Sequence, residues 1–385
     1  MRRTIFNEDH EAFRQTIREF IAREVAPYYD EWEREGRVPK SFYRKLGELG
    51  VLGMEAPEEY GGGGVTDARF EAVLLEEQSR VAVTFGAAGV HSALCLGYLL
   101  RYATEEQKQR WLPKFISGEA MYAIAMTEPG TGSDLAGMTT RAELSADGTH
   151  YVLNGAKTFI TGGVQADRVL VVCRTSPAPA ENRRLGLTIL NVDAHAEGFA
   201  VGRKLEKIGH KATDTAELSF SDVKVPVEEV LGEEGKAFAY LADNLIKERL
   251  SIGVGGAATA RAAIGFAIDY TKQRQVFGQP VSSFQNTKFV LAECATEVEA
   301  AEAMVDKGLE LYNAGELTAV DAAKIKVFCT EVAGRVIDKC LQLHGGYGYM
   351  LEYPIARLYA NTRISRIYGG TNEVQKIVIA KSMGL

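Results

Sequence analysis

The alternation of apolar and polar positions divides the chain into three stretches of different period. In EDHEAFRQTIREFIAREV, starting at residue 8, Phe13, Ile17, Phe20, Ile21 and Val25 recur at helical spacing. That stripe predicts an amphipathic helix, which Pro27 ends. SFYRKLGELGVLGM, ARFEAVLLEEQSRVAVTFGAAGVHSALCLGYLLRYA and TEEQKQRWLPKFISG continue the helical pattern, the last opening on Thr104 as N-cap. Gly61 to Gly64 interrupts it as a flexible loop. From about residue 121 the period shortens to two. YAIAMTE, AELSADGTHYVLNGAKTFITGG, DRVLVVCRT, LGLTILNV and TAELSFSDVKVP alternate apolar and polar residues between turn signals such as Ala146-Asp147-Gly148, which predicts an all-β domain. After about residue 231 long helical segments return, four in number counting the final PIARLYANTRISRIYGGTNEVQKIVIAKSMGL, and they predict a bundle. The resulting division is 1–120 helical, 121–230 β and 231–385 helical.

Composition changes this picture little. Hydrophobic residues make up 46% and charged ones 25%, as in an ordinary soluble globular protein. The net charge of -7 argues against nucleic acid or an anionic membrane as a main partner. Cys95, Cys173, Cys294, Cys329 and Cys340 are scattered with no C-x-x-C pair, the usage of buried reduced thiols rather than of disulfides or a structural metal. The N-terminal stretch lacks the apolar core of a signal peptide, and no run of about 18 uncharged apolar residues predicts a membrane span. A cytoplasmic or equivalent reducing location is expected.

Two motifs open the chemistry. MYAIAMTEPGTGSD, residues 121–134, and KTFITGG, residues 157–163, place hydroxyls and exposed backbone amides at rigid turns, a surface suited to a flat, phosphate-bearing ligand. Taken alone, Gly-Thr-Gly-Ser is equally a hairpin loop. Three more follow in order: RQVFGQPVSSFQ (274–285), QLHGGYGY (342–349) and IYGGTNEVQ (367–375). Together the five resemble the acyl-CoA dehydrogenase family over essentially the whole chain.

The resemblance implies a mainly α fold with a β-barrel middle domain and a C-terminal four-helix bundle. It implies FAD held between the barrel, the bundle and a neighbouring subunit, in a homotetramer. By motif position Met126, Thr127 and Thr161 meet the flavin edge, and Phe159 packs on the ring where tryptophan is usual. Gly132 and Ser133 belong to the turn beside the dinucleotide, Ser133 also facing the CoA side. Arg274 meets the pyrophosphate of the FAD bound mainly by another subunit, where a guanidinium fork is favoured. Phe277 and Gln285 contact its adenine side, Gln342, Gly345 and Gly346 approach the dinucleotide, and Thr371 with Glu373 faces it from the last loop. His344 reads as a turn or packing histidine.

The reaction removes an α-proton and a β-hydride from an acyl-CoA, and it needs a partly desolvated carboxylate as base. Most of the family carries that glutamate where this chain has Gly369. Gly369 and Gly370 still offer backbone N–H groups, and the resemblance assigns the amide at 369 to the thioester carbonyl. A minority branch, including isovaleryl-CoA and long-chain acyl-CoA dehydrogenases, places its glutamate in a segment ending E-R-L. NLIKERLSIGVGG matches it, which assigns Glu248 as base, with the missing side chain at Gly369 making room. Ile252, Gly255, Gly256 and Thr259 continue its helical stripe, and Gly253, Gly255 and Gly256 predict a close approach by a ligand or helix, since glycine costs a helix interior about 1 kcal/mol. Arg249 lies near the CoA or catalytic segment. Glu76, Glu77, Glu373 and Asp134 do not fit the motif slot of the base. The expected electron acceptor is an electron-transfer flavoprotein. An oxidase of related fold and a catalytically silent acyl-CoA-binding protein are the alternatives.

Overall fold

The computed structural model describes residues 3–179 and 181–385. Six helices come first: α1 (Glu8–Glu24), α2 (Tyr29–Glu35), α3 (Lys40–Glu48), α4 (Arg69–Arg80), α5 (Leu96–Tyr102) and α6 (Glu105–Ile116). Thr104 caps α6 reciprocally with Gln107, as its sequence position predicts. The long segment read as one helical run breaks after α4, where Ala82 and Gly86 take positive φ and a Cβ at Gly86 would strike Val38 and Tyr43. It then enters α5 through a π-helical turn, Val90–Cys95. The glycine loop is fastened rather than free. The N–H groups of Gly62, Gly63, Gly64 and Val65 all donate to carbonyls of residues 53–57, and Gly62 packs on Ala56 too closely for any side chain.

Eight strands form the middle sheet: β1 (Tyr122–Ala125), β2 (Arg141–Leu144), β3 (His150–Thr161), β4 (Arg168–Arg174), β5 (Leu187–Asp193), β6 (Phe199–Lys204), β7 (Thr215–Pro226) and β8 (Val230–Leu231). Their order is β6-β7-β3-β2-β4-β5-β8, with β1 added in parallel to β4. This is an open path, so the expected closed barrel is replaced by a sheet with β6 and β8 at its ends. At one end β8 pairs with β5 over two residues before the chain turns at Gly232 and enters the next helix. Asp147 accepts from Ser145 and Thr149 to build the β2–β3 turn, with Gly148 at φ +71°.

The C-terminal part holds three long helices, α7 (Ala237–Gln273), α8 (Gln285–Asn313) and α9 (Ala319–Leu343). A hairpin, β9 (Gln275–Val276) and β10 (Gln279–Pro280), joins α7 to α8. The segment expected as a fourth long helix divides into α10 (Pro354–Thr362) and α11 (Asn372–Ser382), because Gly369 and Gly370 both take positive φ and turn the chain. α7 is long and apolar enough to cross a membrane, and its apolar face is the core of the bundle. Gly253 and Gly256 let α9 approach: an added Cβ would lie 2.5 Å from Ile325 and 3.0 Å from the Cys329 carbonyl. The five cysteines are free and buried.

Candidate active site

Glu248 stands about a third of the way along α7 and faces the turn between α10 and α11. A Cβ built on Gly369 would lie 3.3 Å from Glu248 Oε1 and 2.5 Å from Ile252 Cδ1, at a φ of +65°. The position without a side chain and the carboxylate from the facing helix are therefore neighbours. Glu248 keeps partial access to solvent, yet protein surrounds its carboxyl and burial pushes it up to about 7, opposed by the charges of Arg249 and Lys326. Two phenols share its surroundings. Burial, reinforced by the Glu248 charge, moves Tyr98 of α5 upward; Tyr368, 46% exposed, is moved the same way.

The turn beside Glu248 is gripped by its carbonyls. Arg249 Nε donates to Gly369 O at 3.3 Å, and Lys326 Nζ, fully buried on α9, donates to Gly370 O at 2.6 Å. Gln375 Nε2 reaches both carbonyls, at 3.4 and 3.0 Å. Among the described residues no acceptor meets the N–H groups of Gly369, Gly370 or Thr371. The peptides are trans, so anchoring each carbonyl aims the following N–H the opposite way. The result is a short run of free amide donors next to a partly desolvated carboxylate. The Thr371 hydroxyl accepts from Val374 N and caps α11, while Glu373 is exposed in its first turn.

A second group lies where β1 and β3 end. Thr158 N donates to Thr127 O at 2.9 Å, which joins the two sequence motifs. Lys157 and Glu128 form a buried ion pair at 3.0 Å, and Lys157 Nζ also donates to Met126 O at 2.9 Å. Glu128 accepts the N–H groups of Thr139 and Thr140. Pairing of β3 with β7 shifts between Lys157 and Ile160, and within that bulge Phe159 takes φ +60° and holds its ring 67% exposed. Met126, Thr127, Phe159 and Thr161 thus present one aromatic face with hydroxyls and backbone beside it. A bare aromatic ring held in a strained conformation fits a flat cofactor. Gly132 and Ser133 are exposed in the adjoining turn.

A third group sits at the far end of α7. Arg274 lies roughly 39 Å along the helix axis from Glu248 at 1.5 Å per residue. Its guanidinium stands 5.6 Å from the Tyr347 ring centre. Phe277 is 96% exposed at φ +50° on the tip of the β9–β10 hairpin, and Gln285, Gln342, Gly345 and Gly346 are exposed around it. His344 packs as expected: its Nδ1–H donates to Cys340 O at 2.8 Å and its ring stacks on Tyr270.

The structure thus brings Glu248, Arg249, Gly369 and Gly370 together and holds Arg274 apart from them. Other carboxylates are already engaged: Glu76 with Arg3 and Arg14, Glu77 with Arg18 and Arg80, Asp134 with Arg183. Sequence reasoning missed Lys326, Gln375 and the Lys157–Glu128 pair. Lys326 had a readable sign, since a lysine sits there on the apolar stripe of Ala322, Cys329 and Ala333.

Comparison with known proteins matches three family profiles in succession: acyl-CoA dehydrogenase N-terminal domain over residues 7–119, middle domain over 123–223 and C-terminal domain over 235–384. A long-chain specific acyl-CoA dehydrogenase of mitochondria from Sus scrofa is 41% identical over 99% of this chain and 88% of its own length. A crystal structure of an acyl-CoA dehydrogenase from Geobacillus kaustophilus superimposes with a TM-score of 0.94 at 44% identity, covering 99% of both chains. One from Bacillus anthracis, complexed with FAD, gives 0.90 at 32% identity over all of this chain and 69% of its own.

Proposed function

The chain belongs to the acyl-CoA dehydrogenase family, a class of FAD-dependent oxidoreductases that dehydrogenate acyl-CoA thioesters, and we propose that Glu248 is its catalytic base. The observation that carries this reading is the 3.3 Å between Glu248 Oε1 and the vacant side-chain position of Gly369. When bound, FAD supplies the acceptor for the β-hydride. Glu248 takes the α-proton. Its carboxyl, held near 7, retains the proton affinity that a surface glutamate lacks and is still substantially ionised at neutral pH. The free amides of Gly369 and Gly370 receive the thioester carbonyl, where charge develops as the α-carbon loses its proton. Arg249 holds that turn through Gly369 O. Beyond Glu248 on the same face, nothing lies within 4 Å of a Cβ added at Gly255, which leaves room along the helix for an acyl group.

In this reading Met126, Thr127, Phe159 and Thr161 hold the flavin ring, with Gly132 and Ser133 beside it, Ser133 toward CoA, and Thr371 with Glu373 faces the dinucleotide. Arg274, Phe277, Gln285, Gln342, Gly345 and Gly346 serve the dinucleotide of another subunit in a homotetramer. The roughly 39 Å of α7 between Glu248 and Arg274 supports that division. Electrons leave to an electron-transfer flavoprotein.

Glu248→Gln tests the base. The variant should bind FAD and acyl-CoA, while bleaching of the flavin by butyryl-, octanoyl- or palmitoyl-CoA falls about 10²- to 10⁴-fold. Rapid bleaching in Glu248→Gln refutes the assignment, and a wild-type flavin that no acyl-CoA bleaches refutes catalysis altogether.

A further inference from the structure

Lys326 lies outside every motif that marks the site, yet it is among the largest fully buried side chains in the protein. No carboxylate forms an ion pair with it among the described residues. Its ammonium is spent on backbone and amide oxygens, Gly370 O at 2.6 Å and Asn372 Oδ1 at 3.4 Å. Asn372 is fixed in turn by donating to Thr330 Oγ1 at 3.0 Å and to Glu331 Oε1 at 2.9 Å. A buried cation without an ion-pair partner is costly, and the fold keeps it where a glutamine or water could make the same hydrogen bond. The carbonyl it holds belongs to the residue after Gly369, whose side-chain position lies 3.3 Å from Glu248 Oε1, and the Glu248 charge acts on it more than that of surface Glu373.

We propose that Lys326 is a positioning residue for the dehydrogenation: from α9 it locks the Gly369–Gly370 turn through Gly370 O and sets its positive charge beside the turn that faces the Glu248 carboxylate. The inference rests on Glu248 being the base. The two duties follow from one location. Holding Gly370 O on the α9 side aims the Thr371 N–H away from α9, while the bonds from Arg249 of α7 and Gln375 of α11 to Gly369 O aim the Gly370 N–H away from those two side chains. The same ammonium opposes the burial that favours protonated Glu248. Every charged or titratable group facing Glu248 is then accounted for: Arg249 on α7 and Lys326 on α9 favour its ionised form, while Tyr98 on α5 and Tyr368 before Gly369 remain neutral. Lys326 itself faces Arg249, Glu248 and, on α11, Glu373.

Two substitutions separate the duties. Lys326→Gln keeps a donor for Gly370 O and removes the charge; Lys326→Met removes both. The measurement is the pH dependence of single-turnover flavin bleaching in holoenzyme, using whichever of butyryl-, octanoyl- and palmitoyl-CoA reduces the wild type fastest. Bleaching needs ionised Glu248, so it falls on the acid side, and loss of a nearby positive charge moves that limb to higher pH by about one unit in both variants. In Lys326→Met the plateau above the limb also falls, by about tenfold or more, as the Gly370–Thr371 peptide loses its anchor and the turn carrying the amide donors loosens. An acid limb unchanged in both variants overturns the proposal. Failure of both to fold or to hold flavin also overturns it, by making Lys326 a residue of the general scaffold. Should Glu248→Gln still bleach, or the wild type show no acid limb, it is the base assignment that fails, a result distinguishable from an unshifted limb.

Discussion

Gly369 is conformationally and sterically committed. Its φ of +65° suits glycine, and any Cβ there would meet Ile252 at 2.5 Å before it met Glu248. Gly369→Ala should therefore destabilise the fold by more than about 1 kcal/mol, seen as a lower thermal midpoint, and slow flavin bleaching, because the turn must move off the carboxylate it faces. A stable and fully active Gly369→Ala protein would contradict this geometry. The pH profile belongs to the same scale. With the proposed base near 7, bleaching should rise through neutrality and level off above it, and a rise centred near 4.5 would mean the carboxyl is solvated like a surface glutamate. Both residues of the pair were legible in the chain, Glu248 from the E-R-L segment and Gly369 from the last motif. Their contact was not, since residues so far apart in sequence meet only through packing of α7 against the turn.

Among elements, the end of β3 shows how local strain is held. The bulge that turns Phe159 outward begins beside Lys157, whose ammonium ties Glu128 and Met126 O in the interior. Hydrogen bonds from the Thr139 and Thr140 segment and the Lys157 charge outweigh burial and hold the Glu128 carboxyl down to about 2, whereas burial pushes the Lys157 ammonium down; the many donors to Glu128 keep the pair charged. Lys157→Met leaves Glu128 buried without its cation and should cost about 3 kcal/mol in denaturant unfolding. Because the folded Glu128 lies below its unfolded value, its stabilisation is complete above about pH 5 and is lost as the pH falls toward 2. Lys157→Met should weaken that acid dependence along with retention of flavin. Strands β1 to β5 and β7 were readable from period-two alternation and turn residues, whereas β6, Phe199–Lys204, was missed. Whether the sheet closes was not readable, because closure is set by pairing between strands far apart in sequence, which alternation within each strand does not carry. In the same way, the final helical pattern ran across the 3-10 turn Arg363–Arg366 and the positive-φ pair Gly369 and Gly370, which together divide α10 from α11.

Over the whole molecule, α7 ties the three levels together: it carries Glu248, lines the bundle core and ends at Arg274 some 39 Å away. Phe277, 96% exposed on the hairpin that follows, is the residue proposed to meet the dinucleotide of another subunit. Arg274→Ala should lower FAD retention, and Phe277→Ala should weaken assembly in sedimentation at low protein concentration; a monomeric wild type would count against the proposed division of residues. That distance also has a genetic reading. If each reaction centre takes its glutamate from one polypeptide and its arginine from another, an inert Glu248→Gln chain and an impaired Arg274→Ala chain, co-expressed, should complement one another. Each mixed pair would contain one centre with both groups intact, so turnover would reappear from two defective parents.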